Sequence, residues 1–351
     1  MGRSDNRLPG QRSVDSRADH GVVTVTLNPA LDVSMSIDLL VPDRKLRAHD
    51  VRREAGGGGV NVSRVLRRLG VPNTSFVVTG GGIGDELLEL MRHEHLDVAG
   101  FTIDGTTRES VAITETDTAR QYRLSVPGPT VDRPDELRDV LREISASASI
   151  VVFSGSVPRG LPSDFYVRLL GDLDPEVTAI VDTAGAALAA VVEGAARSAD
   201  VVKPSQRELA ELVGWEPETP QQIEQAVQDV LELGGARAVI ASRGPSGALL
   251  ATRDGELRWY RPPPVRPVST VGAGDSMVAG IAAGLARGDD LVSAVRLGVA
   301  AGTATVLTPG TELCDPDVVE RFVDQVTVET GQAAPRPTRT TPTVRTQMRR
   351  S

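Results

Sequence analysis

Ser269-Thr270-Val271-Gly272-Ala273-Gly274-Asp275-Ser276-Met277-Val278 is a glycine-rich turn that runs directly into an aspartate and then into a helix-forming run of small and apolar residues, Ala279 to Leu285. That order places free backbone N–H groups, a helix N-terminus and a carboxylate within one turn of one another. The first N–H groups of a helix have no intrahelical acceptor, and the macrodipole adds positive potential there, so such a turn attracts phosphate. An aspartate beside a bound phosphoryl group is placed to take a proton from an attacking hydroxyl. Read by itself, the same stretch is more simply a plain turn followed by an Asp N-cap. The rest of the chain has to decide between the two.

The 351-residue chain is 40% apolar and 3% aromatic and holds 35 glycines, a composition that suits a large α/β core. Of its 38 basic residues only Lys45 and Lys203 are lysines, and neither stands in a GxxxxGK(S/T) context, which excludes a standard P-loop. A net charge of −9 argues against nucleic acid as a partner. Cys314 stands alone, which excludes an intrachain disulfide and a cysteine metal cluster. No apolar run reaches the roughly 18 residues of a membrane span, and the first twenty residues lack a signal-peptide core. A cytoplasmic protein with no membrane partner is expected.

Residues 1–20 and the Pro-, Thr- and Arg-rich stretch 332–351 read as disordered tails around a folded body at 21–327. Within that body, β-rich runs (Val22–Leu27, Ser75–Thr79, Ile150–Phe153, Val177–Val181, Val201–Val202, Ala238–Ala241) alternate with helical patterns. The helical patterns are Val62–Leu69, Asp85–His95, Pro134–Ile144, Ser163–Leu170, Glu208–Val213, Pro220–Leu233, Asp275–Ala286, Leu291–Leu307 and Pro316–Val326. Such alternation predicts an α/β fold whose mostly parallel sheet carries helices on both faces. Two stretches, 33–54 and 109–126, read instead as successive strands of alternating polarity, and they predict a small sheet projecting as a lid.

Four more segments carry candidate chemistry. Asn28-Pro29-Ala30-Leu31-Asp32 follows the first strand, where open α/β sheets bind ligands, so Asp32 is either a turn residue or an acceptor for sugar hydroxyls. In Gly56-Gly57-Gly58-Gly59-Val60-Asn61-Val62-Ser63-Arg64 the glycines permit either a hinge or close backbone approach to a ligand, and Asn61 both donates and accepts. Lys203-Pro204-Ser205-Gln206-Arg207-Glu208 offers Lys203 to phosphate and Glu208 to Mg²⁺ through water; alternatively Ser205 and Glu208 form a capping box. Ser242-Arg243-Gly244-Pro245-Ser246-Gly247 is a tight turn, facing a nucleotide phosphate or simply closing a hairpin.

Taken in order, NPALD, GGGGVNVSR, KPSQREL, SRGPSGA and STVGAGDSM resemble the ribokinase-like sugar kinases of the phosphofructokinase B family over about residues 22–325. The resemblance implies a ribokinase-like three-layer sandwich and transfer of a phosphoryl group from ATP·Mg²⁺ to a sugar hydroxyl. It implies Asp275 as the base, with Gly272, Ala273 and Gly274 forming an anion hole. It implies sugar contacts from Asp32, Gly57, Gly58, Gly59, Asn61, Arg108 and Ser156. ATP contacts are implied for Lys203, Ser205 (usually Asn in the family), Ser242, Gly244, Gly247, Thr270, Val299 and Thr303. A K⁺ ion beside the anion hole is implied at Ser269, Val271, Thr305, Thr308 and Gly310, with Glu312 where some close relatives carry Arg. A homodimer formed through the projecting sheet is also implied.

The family's 1-phosphofructokinases and tagatose-6-phosphate kinases usually carry a lysine in the glycine loop, which reads Gly56-Gly57-Gly58-Gly59 here. Lys45-Leu46-Arg47 and Arg120–Gly128 are similar to its 6-phosphofructokinases. Fructose 6-phosphate is therefore the expected acceptor, with Arg108 and Lys45 as partners for its phosphate. The alternatives are those two phosphosugar kinases on the same fold and a catalytically silent sugar or nucleotide sensor, which would normally have lost Asp275 or its glycines.

Overall fold

A computed structural model describes residues 21–194 and 197–331; the tails read at 1–20 and 332–351 lie outside the described residues. Among these residues ten strands form one sheet, in the order β14 (Thr327–Thr330), β13 (Leu257–Arg261), β12 (Ala248–Thr252), β11 (Ala236–Ser242), β10 (Ala199–Val202), β9 (Thr178–Asp182), β8 (Ile150–Ser154), β1 (Val22–Thr26), β4 (Asn73–Thr79) and β5 (Asp97–Thr102). Every pairing from β11 to β5 is parallel, and β12, β13 and β14 are appended antiparallel.

The inner strands are apolar on both faces, as parallel strands covered on both sides must be. Their period of two splits the core. Val23, Val25, Phe76, Val151 and Phe153 face one side, packed under α3 (Pro134–Ser145), α4 (Phe165–Asp172), α5 (Gly185–Glu193), α6 (Gln206–Val213) and α7 (Pro220–Leu233). Val22, Ile150, Val152, Ile180 and Ile240 face the other, under α1 (Gly58–Arg68), α8 (Ala273–Ala286), α9 (Leu291–Thr305) and α10 (Pro316–Val323). The expected three-layer sandwich is present. No helix among the described residues is long and apolar enough to cross a membrane.

The lid is present too. β2 (Ala30–Ile37) lies between β3 (His49–Gly56), antiparallel to it, and β6 (Arg108–Glu115), parallel to it, and β7 (Gln121–Ser125) completes a four-stranded sheet. α2 (Gly81–His93) packs near its base, where Leu87 and Met91 meet Ala55 and Val60.

Several elements escape the sequence patterns. α2 begins at Gly81, ahead of the expected Asp85, because Gly80 N donates to Thr107 Oγ1 at 3.0 Å and fixes the helix entrance. α5 is apolar around most of its circumference and shows no amphipathic stripe. β5, β12 and β13 lack clean alternation, and β14 carries the sheet past the 327 boundary.

The topology locates the site. From β1 the chain winds outward to β4 and β5, then returns to β8 on the other side of β1 and winds the opposite way. Ligands of open α/β sheets bind beyond the strands' carboxyl ends at such a reversal. Asn28, Gly155, Thr183 and Lys203 leave those ends.

Candidate active site

The Gly56–Gly59 loop enters α1 where strand-end side chains crowd it. A methyl group added at Gly56 would come within 2.0 Å of Asp32 Oδ2, at Gly58 within 2.3 Å of Ser154 Oγ, and at Gly59 within 2.4 Å of Thr26 Oγ1. The missing Cβ atoms are thus what lets these strand-end side chains pack against the loop. Gly57 sits at φ +112°, a conformation that L side chains rarely adopt.

Buried polar atoms without a partner gather at the same place. Thr26 Oγ1, Asn28 Oδ1, Ser154 Oγ and Arg108 Nε are four of the five such atoms among the described residues, the fifth being Arg243 Nε. Each unmade bond costs about 1–3 kcal/mol, so their concentration around one cleft fits a ligand rich in hydroxyl groups. Asp32 lines the cleft. Burial raises its pKa, against the opposing hydrogen bond of Ser110 and the charges of Arg123 and Arg108. Arg108 is held by Nη1 on Ser125 Oγ at 2.8 Å and Nη2 on the Asn28 carbonyl at 3.3 Å.

At the other end of the cleft stands Asp275, in the first turn of α8. Gly272 caps that helix at φ +74°, and the first helical bond runs from Ser276 N to Gly272 O at 2.8 Å. The N–H groups of Ala273, Gly274 and Asp275 therefore have no intrahelical acceptor. Asn61 Nδ2 donates to Asp275 Oδ2 at 2.8 Å. Burial, then the charge of Asp182, pushes the Asp275 pKa up to about 6, while Asn61 and Lys203 hold it down. Lys203 is buried and pairs with Asp182 at 3.0 Å. Burial works against its charge, yet Asp182, Glu208 and Asp275 together carry its pKa above the usual lysine value. A Cβ on Gly274 would lie 3.7 Å from Lys203 Nζ, so cation and helix terminus address the same volume.

Two of the segments expected to meet a nucleotide lie side by side. Ser205 and Ser242 form a parallel bridge, and Ser242 N donates to the Pro204 carbonyl at 2.9 Å. The Ser242–Gly247 turn does close the β11–β12 hairpin, with Gly247 at φ +87° and no room for a side chain beside the Tyr260 carbonyl. Ser205 and Glu208 do form a capping box on α6, so Glu208 engages one carboxylate oxygen in the helix entrance. On α9, Thr303 and Val299 are buried, and the Thr303 hydroxyl donates to the Val299 carbonyl at 2.7 Å; Thr270 is exposed.

Ser269, Val271 and Gly310 are hydrogen-bonded to one another just before α8, and Thr305 and Thr308 to each other just after α9. Ser269 Oγ donates to the Gly310 carbonyl and Thr308 Oγ1 to the Thr305 carbonyl, each at 2.8 Å, and Val271 N donates to Ser269 Oγ at 3.2 Å. The all-oxygen character of these acceptors fits a hard monovalent cation. No group of three or more His, Cys, Asp or Glu side chains among the described residues could hold a metal ion.

Two expectations fare differently. Ser156 is exposed and accepts from Asn28 Nδ2 at 3.0 Å at the rim of the cleft. Lys45 is not beside Asp32 or Arg108 within the chain. It lies in the loop beyond the Ser36–His49 rung, at the tip of the β2–β3 hairpin, whereas Asp32 and Arg108 lie at its base. From Asp32 to Ile37 alone the strand runs about 17 Å at its usual rise. Thr26, Asn28, Ser154, Asp182 and Arg123 were not singled out from the sequence. Asp182 ends β9, and position at a strand's carboxyl end is the signal that could have found it.

The family described as pfkB family carbohydrate kinase matches residues 25–318. The chain is 41% identical over 306 residues to the ATP-dependent 6-phosphofructokinase isozyme 2 of Mycobacterium tuberculosis, covering 86% of this chain and 89% of that protein. It is 36% identical over 304 residues to the Escherichia coli protein of the same name, covering 86% of this chain and 97% of that one. The crystal structure of E. coli phosphofructokinase-2 in complex with fructose-6-phosphate superposes with a TM-score of 0.79 at 34% identity, over 88% of this chain and 99% of that one. The structure in complex with potassium gives a TM-score of 0.81 at 35% identity over the same shares.

Proposed function

This chain belongs to the pfkB family of carbohydrate kinases, and from that premise we propose that it transfers the terminal phosphoryl group of ATP to the 1-hydroxyl of fructose 6-phosphate, giving fructose 1,6-bisphosphate and ADP. The observation that carries the reading is Asp275 at the start of α8, held by Asn61 and flanked by Lys203. In the transfer the bond from the sugar O1 to phosphorus forms, the bond from phosphorus to ADP breaks, and the hydroxyl proton passes to Asp275. The free N–H groups of α8 and the Lys203 ammonium receive the negative charge spread over the moving phosphoryl group. Magnesium bound with ATP supplies further neutralisation of that charge. Asp32 accepts from sugar hydroxyls, Asn61 orients the base, and Arg108 takes the 6-phosphate, with Arg123 adding charge nearby.

We assign K⁺ to the oxygens around Ser269 and Gly310, where it would steady the turn that precedes the anion hole. We further propose a homodimer through the lid. Leu39, Leu40, Val51, Leu124 and Val126, all on the lid or its loops, are 40–56% exposed, and an apolar sheet face of this kind favours covering by a second copy. The test of the reading is ADP release by the purified protein with ATP and, in parallel, fructose 6-phosphate, fructose 1-phosphate, tagatose 6-phosphate and fructose. The largest kcat/KM is expected for fructose 6-phosphate. A larger value for another phosphosugar would replace the acceptor, and no turnover with any would leave a sensor.

A further inference from the structure

The Asn61 amide stands between two groups that can each be satisfied in only one way. On one side is the Asp275 carboxylate, which as an ion only accepts; on the other is the Arg64 guanidinium, which only donates. Asn61 Nδ2 accordingly faces Asp275 Oδ2 at 2.8 Å, and Asn61 Oδ1 accepts from Arg64 Nη1 at 3.5 Å. Arg64 lies one helical turn after Asn61 on α1 and is only 4% exposed. It is itself fixed from three directions. Nε donates to Glu94 Oε2 at 2.7 Å, Nη2 pairs with Glu54 Oε1 at 3.3 Å, and Nη1 also donates to the Ala55 carbonyl at 3.3 Å. Glu54 lies opposite Asp32 on the lid strand and also accepts from Thr311 Oγ1, in the loop that holds Gly310.

We propose that Arg64 is a positioning residue for the transfer. It holds the Asn61 amide oxygen so that the amide nitrogen, and not the oxygen, faces the base, and it ties that orientation to the lid strand through Glu54. This inference rests on Asp275 being the base. Without the guanidinium the amide is free to turn its oxygen toward the carboxylate, which replaces a donor with a repelling dipole and makes the base harder to ionise. The charged groups that also face Asp275 are Asp182, Lys203 and Asp32, and those that face Arg64 are Glu54 and Glu94; none of them changes in the variants below.

The experiment measures kcat against pH for wild type, Arg64→Lys, Arg64→Met, Asn61→Ala and the Arg64→Lys/Asn61→Ala pair. Asp275→Asn serves as the reference without a base, and the acceptor is whichever sugar phosphate wild type turns over best. Lysine keeps a charge between Glu54 and Glu94 but lacks the planar fork that serves them and Asn61 together, so it decides the matter even if the methionine variant does not fold. The expected result is an acid limb moved up by about one pH unit in the Arg64 variants, tenfold in rate at a fixed acid pH, with no further movement when Asn61→Ala is combined. An unmoved limb in a folded Arg64→Lys, or a shift that adds in full to that of Asn61→Ala, overturns the proposal while leaving Asp275 as the base. A rapid Asp275→Asn enzyme overturns both.

Discussion

Replacing Arg108 with alanine tests the acceptor end of the cleft. Two donors of its guanidinium are engaged at 2.8 and 3.3 Å, by Ser125 Oγ and the Asn28 carbonyl, and these contacts fix the plane of the fork. Nε is buried without a partner, and burial pulls the pKa of the whole group below the usual guanidinium value. Arg108 is therefore a held, partly desolvated cation with unused donor capacity, the condition under which a charge-assisted bond to phosphate contributes most. Losing one such contact costs about 1.5–3 kcal/mol, a ten- to hundredfold rise in KM. The KM for fructose 6-phosphate should rise by that factor and the KM for ATP should stay put, because Lys203 and the Ser242 turn lie beyond other strands. Arg108→Lys should fall between, keeping the charge but not the fork. Unphosphorylated fructose supplies the control, since wild type and variant should use it equally poorly. The assay is initial-rate ADP release with each substrate varied in turn. An unchanged KM for fructose 6-phosphate, in a variant that melts like wild type, would refute the assignment and with it the case for a phosphorylated acceptor.

Asp275→Asn should lower kcat by about 10²–10⁴-fold while ATP still binds, as titration calorimetry would register; more than half the wild-type rate would remove Asp275 from the role of base. A base with a pKa near 6 is inactivated by its own protonation, so the wild-type rate should fall below that pH and level off above it. The part of the limb that disappears in Asp275→Asn belongs to this residue. Gly272→Ala places a side chain at φ +74° and 2.8 Å from Leu313 Cδ2; the conformation alone costs about 1–2 kcal/mol. Both the melting temperature and kcat should drop, and a fully active variant would show that the turn's geometry is not what forms the anion hole. A chain trimmed to 21–331 should retain turnover, since β14 and the Gly331 N bond to the Leu257 carbonyl close the sheet; a folded but inactive product would place a tail in the site.

Much of the fold was readable because its signals are local. The strand runs Val22–Leu27 and Ile150–Phe153 are apolar or nearly so throughout, and the lid strands β2 and β6 alternate in sequence. Ser269–Val278 reads from residue type as a turn running into a helix start, while the anion hole is implied only by the resemblance that the five ordered motifs carry. What escaped depends on tertiary contact. The helical pattern begins only at Asp85, yet Thr107 from beyond the next strand turns Gly80 and Gly81 into the entrance of α2. Lys45 carries the right charge for a phosphate partner, but the hairpin register puts it at the tip of the lid, away from Asp32 and Arg108 of its own chain. Thr26, Asn28 and Ser154 look like ordinary strand-end residues. Only the adjacency of β1 to β8, a pairing across more than a hundred residues, brings their unpaired atoms to one cleft. The capping-box reading of Ser205 and Glu208 was correct, and it is compatible with a nucleotide role because Ser242 is drawn alongside by the β10–β11 pairing.

The electrostatics of the Asp275 neighbourhood then follow from two opposing sets of residues. An ordinary carboxylate, with a pKa near 4, is ionised at neutral pH but holds a transferred proton weakly; one raised above 7 would hold it well but arrive already protonated. Burial and Asp182 push Asp275 upward, Asn61 and Lys203 pull it back, and the outcome near 6 leaves about nine-tenths ionised at pH 7 and a stronger base than a solvated aspartate. Asp182 thus acts twice, as partner to Lys203 and as a charge that raises the Asp275 pKa. Lys203 likewise helps keep Asp275 ionised, and in the proposed transfer it also faces the incoming phosphoryl group. Neutralising Lys203 should therefore do more than weaken ATP binding: Asp275 and Asp182 both lose a stabilising charge, and with Asp182 still ionised the acid limb of the rate should move toward neutral pH. Lys203→Met whose KM for ATP rises while its pH profile stays fixed would separate the two functions and show that Lys203 does not set the balance at Asp275.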